Sequence, residues 1–444
     1  MERKGLIKRI LAVTAAALTL FGGSLPVCAD RASIDRMIEA IPSDWPEAPD
    51  IQAATAILMD ADSGEILYAR EATRTMYPAS TTKLMTALLT LENCSLSDVV
   101  TFSSKAVMIP SGSSHIGMRR GEQMVLRECL YSLLLPSANE VANALAEHVA
   151  GDIPSFVQLM NDRMHQLGAV NTVFQNTNGL HDDGHYTCAY DLALLMQALI
   201  ANNTFVEISS TPSYVHHADD LLPKDIPMTN THQMIRRSSE YYNEDVVCGK
   251  TGHTEESGYN LVTYAEKDGM KLIVVVLGCT AGNQYVSTQS LLDYGFHYFH
   301  QVLPAELDTS LNMENRFTAS PLSIPTGEVS LLSINSGDTI LLPDTITFDK
   351  LDKAINTADD GILITYKYQG YPLGSVFLSY SAGNDKNQIY ANEEPSGSNA
   401  LDGMKNLVVV DGFLILALAL IGGIFVGVTI YLRKRFRPKN TFRW

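Results

Sequence analysis

The hydrophobic period of the chain changes at residue 246, and that change limits the folds open to it. Between 77 and 200 apolar residues recur with helical spacing; from 246 they run in strand-length stretches. Three such stretches, 246–252, 259–265 and 270–277, predict an antiparallel meander, with Lys267-Asp268-Gly269 as a tight turn. A hairpin is predicted ahead of the helical part, with strands at 54–59 and 65–69 and Asp62-Ser63-Gly64 between them. The fold class is therefore α/β of the α+β kind, an antiparallel sheet flanked by helices. Helices are expected at 121–149, interrupted near Pro136, and at 154–168, 190–200 and 286–301. The loop FQNTNGLHDDGHYT separates two of them.

The texture changes again at 305. Short alternating strands at 328–334, 339–342, 362–368 and 374–379 predict a small all-β sandwich over 305–392, read as a spacer or interaction module. Residues 393–411 read as a linker. Residues 412–432 carry no charge and would reach about 31 Å as a helix, enough to cross a bilayer core. The basic stretch at 433–444 then marks the cytoplasmic side. Residues 1–29 have the basic start, apolar middle and small-residue end of a signal peptide, a pattern that a cleaved leader and an uncleaved anchor both satisfy. The expected organisation is a body at 30–304 and its β module, both on the extracytoplasmic face of a cell membrane.

Charge agrees with that placement. The formal net charge is −17, yet ten basic residues lie at the two ends. Between Asp30 and Asp411 there remain 22 basic and 48 acidic residues, a net charge of −26. Such a body repels nucleic acid. Six cysteines stand at 28, 94, 129, 188, 248 and 279 with no CxxC spacing, so neither a zinc nor a redox motif is indicated and no bridge is assigned.

Chemistry concentrates in three short motifs. Ser80 and Lys83 lie one helical turn apart in YPASTTKLMTALLT, and no other lysine has a serine three residues before it. Pro78 suits a helix start. A neutral lysine there could take the proton of a serine whose alkoxide faces the positive end of a helix dipole. Taken alone, the pair reads as a capping serine and a solvated lysine. Ser137-x-Asn139 lies at a second helix start, where both residue types commonly cap. Lys250-Thr251-Gly252 lies on the first meander strand and occurs once.

In that order the motifs form the set of penicillin-binding proteins and related β-lactamases. Acyl transfer needs a nucleophile, a base and donors for an oxyanion. Ser80 would attack and Lys83 would act as base, its pKa lowered by burial and by Lys250. Ser137 would relay the proton to the leaving amine, and Asn139 would hold Lys83 and the substrate amide. Thr251 and Gly252 would sit on an edge strand that pairs with an extended peptide. The N–H groups of Ser80 and His253 would hold the oxyanion. No cofactor or metal is called for.

The chain resembles the D-alanyl-D-alanine carboxypeptidases, the low-molecular-weight penicillin-binding proteins of serine peptidase family S11. The resemblance runs over PASTTKLMTALL, LLLPSANEVANALAEHVAG, FQNTNGLHDDGHYTCAYDLA and GKTGHTEESGYNLV. It implies a transpeptidase-like domain, a β-rich domain and membrane attachment. It also implies removal of the terminal D-alanine from peptidoglycan stem pentapeptides, and acylation by β-lactams. His185 and Asp191 fall in a family stretch and read as structural, a loop clamp and a helix cap.

Two departures from the family stand out. The family's arginine, which binds the substrate's terminal carboxylate, is replaced here by Gln284, leaving that contact to Thr251 and Lys250 or lowering activity. Many relatives end in an amphipathic helix rather than a spanning one. Two alternatives are a catalytically silent β-lactam or muropeptide binder, which Gln284 suggests, and a β-lactamase. The second lacks an ExxLN loop between the second and third motifs; Asp308-x-x-Leu311-Asn312 lies after Lys250.

Overall fold

The structure is a computed structural model that describes residues 31–380 apart from 40, 43, 309–331, 335–336 and 359–360. The expected signal peptide, linker, transmembrane helix and basic tail, and parts of the β module, lie outside the described residues.

Elements are numbered in chain order. α1 is Arg31–Glu39, and the predicted hairpin is β1 (Thr55–Asp60) and β2 (Ile66–Arg70). A 3₁₀ turn, Ala79–Thr82, leads into α2 (Lys83–Asn93). Two short strands, β3 (Val99–Thr101) and β4 (Gln123–Val125), pair before α3 (Leu126–Leu134), so the first residues of the expected 121–149 helix are strand. The chain breaks at Pro136 and resumes as α4 (Asn139–Ala150) and α5 (Ile153–Gln166). α6 (Ala189–Ile200) and α7 (Asn203–Ser209) follow, then the ribbon β5 (Ser213–His216) and β6 (Ile226–Thr229). The meander is β7 (Val246–Thr254), β8 (Gly258–Lys267) and β9 (Met270–Cys279), and α8 is Asn283–Tyr298.

The hairpin and the meander form one antiparallel sheet, in the order β2-β1-β9-β8-β7. β1 pairs with β9 through Ala56 opposite Val276 and Leu58 opposite Val274. Helices cover both faces, α6 on one and α8 on the other. β9 shows the consequence in its sequence. Ile273, Val275 and Leu277 enter the core shared with α2 to α6, while Leu272, Val274 and Val276 enter the core shared with α8. All six are fully buried, so the strand reads as an unbroken apolar run rather than an alternation.

The β-rich part begins earlier than expected and contains strands beyond those expected. α8 stops at Tyr298, three residues short of the predicted end, because β10 (Phe299–Val302) pairs with β12 (Ile340–Pro343). After α9 (Pro304–Leu307), a four-stranded antiparallel sheet runs β11-β15-β14-β13. Its strands are β11 (Leu332–Ile334), β13 (Asp352–Ala358), β14 (Gly361–Tyr368) and β15 (Tyr371–Tyr380); β13 had no counterpart among the expected strands. Trp45 packs its ring against Phe299 at 5.5 Å and Tyr371 at 5.4 Å, and the Tyr371 hydroxyl donates to Ile66 O.

Candidate active site

Ser80 sits in the 3₁₀ turn, and α2 begins three residues later at Lys83. The turn is conformationally strained: Ala79 has φ +49°, in the left-handed region that favours glycine. Contacts from distant segments hold it. Asn260 donates from its amide to Tyr77 O at 2.8 Å and Pro78 O at 3.1 Å, and accepts from Gly278 N at 2.9 Å. Gly179 packs so closely that a Cβ there would stand 1.8 Å from Ala79 O. His185 accepts the Gln175 N–H at Nδ1, which leaves its proton on Nε2, 2.8 Å from Thr82 Oγ1; the Thr82 hydroxyl in turn donates to Ala79 O. Burial holds the His185 pKa down to about 4, so this clamp is neutral at ordinary pH. Asp191 accepts from Val170 N, Asn171 N and Thr172 Oγ1; it therefore fastens the preceding loop onto α6.

Lys83 is fully buried and makes three contacts through Nζ: Ser80 Oγ at 3.0 Å, Asn139 Oδ1 at 2.7 Å and Asn178 O at 2.6 Å. Burial pushes its pKa well below the usual 10.5, the nearby Lys250 charge lowers it further, and Glu140 opposes both. In the neutral amine two protons satisfy Asn139 and Asn178, and the lone pair faces the Ser80 hydroxyl. That is the geometry of a general base. Lys250 is itself buried, donates to Thr251 O at 3.1 Å, and has its pKa lowered to about 7 by burial.

The second motif is bent into place. Ser137 has φ +67°, and Ala138, not Ser137 or Asn139, occupies the N-cap of α4, with no side-chain cap bond. The capping reading of Ser137 and Asn139 is thereby corrected: the Asn139 side chain goes to Lys83, and the Ser137 Oγ is buried without a hydrogen bond among the described residues. Glu140, which carried no signal in the sequence, is 1% exposed. Its Oε1 accepts the N–H groups of Ile116 at 2.8 Å and Gly117 at 3.0 Å, fixing the loop whose Ser114 O accepts the Asn139 N–H.

Among the described residues β7 forms the edge of the sheet, paired with β8. A Cβ on Gly252 would stand 2.8 Å from Pro78 O and 3.2 Å from Ser80 N, so only glycine lets this strand lie against the nucleophile turn. Thr251 and Thr231 share a hydroxyl contact at 2.7 Å, and the His253 ring packs on Tyr259 at 4.1 Å. Ser80, Ser137, Thr251, Gly252 and His253 line one cleft of about 290 Å³, together with Ser114, Thr231, Asn260, Gln284 and Tyr285. Lys83 and Asn139 lie beneath it, bonded to one another, and Lys250 lies on the strand that forms its wall. All eight residues proposed from the sequence thus belong to one locality. Gln284 is 5% exposed, and among the described residues its side-chain oxygen has no hydrogen bond.

Several contributors escaped sequence reading. Asn178 acts through its backbone carbonyl, which residue type does not specify. Its side chain joins Asn143 Oδ1, which also accepts from Thr177 Oγ1 at 2.7 Å. His232 lies behind Lys250, fully buried, its pKa lowered to about 3 by burial and then by the Lys250 charge.

A family model described as D-alanyl-D-alanine carboxypeptidase matches residues 43–281. The chain is 33% identical over 254 residues to the D-alanyl-D-alanine carboxypeptidase DacF of Bacillus subtilis, covering 56% of this chain and 63% of that protein. It is 32% identical over 303 residues to DacC of Escherichia coli, covering 66% and 73%. Among solved structures it is similar to a D-alanyl-D-alanine carboxypeptidase of Mycobacterium tuberculosis, with TM-score 0.52 and 27% identity over 57% of this chain and 95% of that one. Penicillin-binding protein 6B of Escherichia coli shares the fold over 76% of this chain and 97% of its own, with TM-score 0.56 and 24% identity.

Proposed function

Because the chain belongs to the D-alanyl-D-alanine carboxypeptidase family, we propose that it removes the terminal D-alanine of peptidoglycan stem pentapeptides through an ester on Ser80. The observation that carries this reading is the buried Lys83 amine, 3.0 Å from Ser80 Oγ, with its pKa held down. Lys83 takes the Ser80 proton as Oγ adds to the carbonyl carbon of the terminal D-Ala-D-Ala bond. The resulting oxyanion is held by the N–H groups of Ser80 and His253. Collapse breaks the C–N bond, and Ser137 relays the proton held by Lys83 to the departing D-alanine amine, which leaves Lys83 neutral again. Water, deprotonated by Lys83, then cleaves the ester and returns the proton to Ser80. The stem peptide lies along β7, positioned by Asn139 and Thr251. β-Lactams acylate the same serine and are covalent inhibitors.

The rest of the chain fits an enzyme of cell-wall biogenesis. A signal at 1–29 exports the body, a spanning helix at 412–432 holds it on the outer face of the membrane, and the β-rich part at 305–392 is a sandwich module that spaces it from the bilayer. A second reading, a weak or silent β-lactam binder, draws on the buried Gln284 amide, whose oxygen finds no hydrogen bond among the described residues, where the family carries an arginine. Incubating the purified full-length protein with a pentapeptide muropeptide, with and without penicillin, separates the two by mass spectrometry. Release of D-alanine that penicillin blocks and Ser80→Ala abolishes is the expected result. Release that persists in Ser80→Ala overturns the assignment; penicillin adducts without any release favour the binder.

A further inference from the structure

Away from the cleft, three ligand-type side chains meet at the far ends of the two helices that begin at Lys83 and Asn139. Cys94 is the C-cap of α2, His148 lies in the last turn of α4, and Asp98 closes the turn that follows α2. The Cys94 Sγ, an Asp98 carboxylate oxygen and a His148 ring nitrogen all lie within 4.8 Å of one another. His148 Nε2 stands 3.4 Å from Asp98 Oδ2. That separation is the edge of a zinc tetrahedron: with metal bonds of about 2.0–2.2 Å to nitrogen and oxygen, such ligands stand about 3.4 Å apart. The Ser95 N–H donates to Asp98 Oδ2 at 3.2 Å and orients the carboxylate as an outer partner would.

We propose that Cys94, Asp98 and His148 form a binding site for a zinc-class divalent cation, with water as the fourth ligand. One thiolate, one imidazole and one carboxylate suit zinc and its neighbours in the transition series rather than magnesium or calcium, which take oxygen ligands. On binding, the Cys94 S–H gives its proton to solvent, the sulfur–metal bond forms, and nothing is oxidised. Cys94 Sγ closes to about 3.6 Å from the other two ligands, a movement within reach of a change at χ1. The cation ties the end of α2 to the end of α4, about 16 Å along α2 and about 14 Å along α4 from the bond between Lys83 and Asn139. The site was invisible in the sequence because His148 comes from a distant helix, and Cys94 and Asp98, in the turn that ends α2, match no metal-binding spacing.

The test is a cobalt(II) titration of the purified full-length protein, followed by displacement with zinc. One equivalent is expected to give a thiolate-to-metal charge-transfer band that zinc abolishes, and zinc is expected to raise the melting temperature. Cys94→Ser is expected to remove the band. His148→Gln, a change at an exposed position, is expected to weaken binding at least tenfold with an unchanged circular dichroism spectrum. Absence of the band in the native protein overturns the proposal. So does a band that survives Cys94→Ser, or His148→Gln binding as tightly as the native chain; should Cys94→Ser fail to fold, the His148→Gln result decides.

Discussion

Lys83 Nζ donates to Asn139 Oδ1 at 2.7 Å, joining the first residue of α2 to the first residue of α4. A neutral amide at that point accepts a hydrogen bond from the amine without favouring its charged form as a carboxylate would. Asn139→Asp places a negative charge beside Lys83, and an opposite charge at this range raises a lysine pKa by about 1–3 units. The free base then appears only at higher pH. We expect acylation by fluorescent penicillin to fall at least about tenfold at pH 7 and to recover toward alkaline pH. An unchanged pH profile would remove Lys83 from the role of base.

Lys250 couples activity to stability. Its pKa is about 7 in the folded protein and 10.5 in the unfolded chain. Below pH 7 both states hold the proton, and the native state carries the full burial penalty. Between about pH 7 and 10.5 the native state releases a proton that the unfolded chain keeps, so stability from this group rises with pH across that window. Lys250→Met is expected to stabilise the protein by about 1–4 kcal/mol at pH 6, with the gain shrinking toward pH 10. Acylation is expected to fall on the order of 100-fold. Denaturant titrations at the two pH values check the sign.

Gly252 tests the fit between β7 and the nucleophile turn. Its Cβ position is 2.8 Å from a backbone oxygen, which cannot rotate away. Gly252→Ala displaces either the strand or the turn by a fraction of an ångström, and displacements of about 1 Å lower rates on the order of 100-fold. The expected outcome is a loss in the penicillin acylation rate of that order with a melting temperature close to the native value. Native acylation in Gly252→Ala would show that the strand does not bear on Ser80.

Gln284 tests carboxylate recognition. Gln284→Arg adds a charge at the cleft wall where the buried amide oxygen now has no partner. A charged hydrogen bond contributes about 1.5–3 kcal/mol. KM for a pentapeptide is therefore expected to fall by roughly ten- to a hundredfold, with penicillin acylation changing less. Steady-state D-alanine release measures it, and an unchanged KM would place the substrate carboxylate elsewhere.

The local parts of this design were legible in the sequence. Ser80 and Lys83 declare themselves by a spacing of one helical turn, and the strand at Lys250 by its place as the first of three strand-length apolar stretches. The long-range parts were not. Nothing local tells that β1 pairs with β9 across more than 200 residues, or that β12 pairs with β10 rather than with the strands around it. Ala79 and Ser137 adopt left-handed φ values without being glycine; tertiary contacts impose those conformations, so residue type gave no warning. The carbonyl of Asn178 and the carboxylate of Glu140 act through contacts that exist only once the loops have closed.

β9 has one more consequence. Its odd-numbered residues from 273 to 277 and its even-numbered residues from 272 to 276 belong to opposite cores. Neither half can melt while the other stays intact, because losing one uncovers the shared strand. Heating should therefore dissolve both halves of the sheet in a single step. A methylene removed at Leu291 or Leu292, on the face turned away from Ser80, should lower the temperature of that single step, and the nucleophile turn should be lost along with the rest.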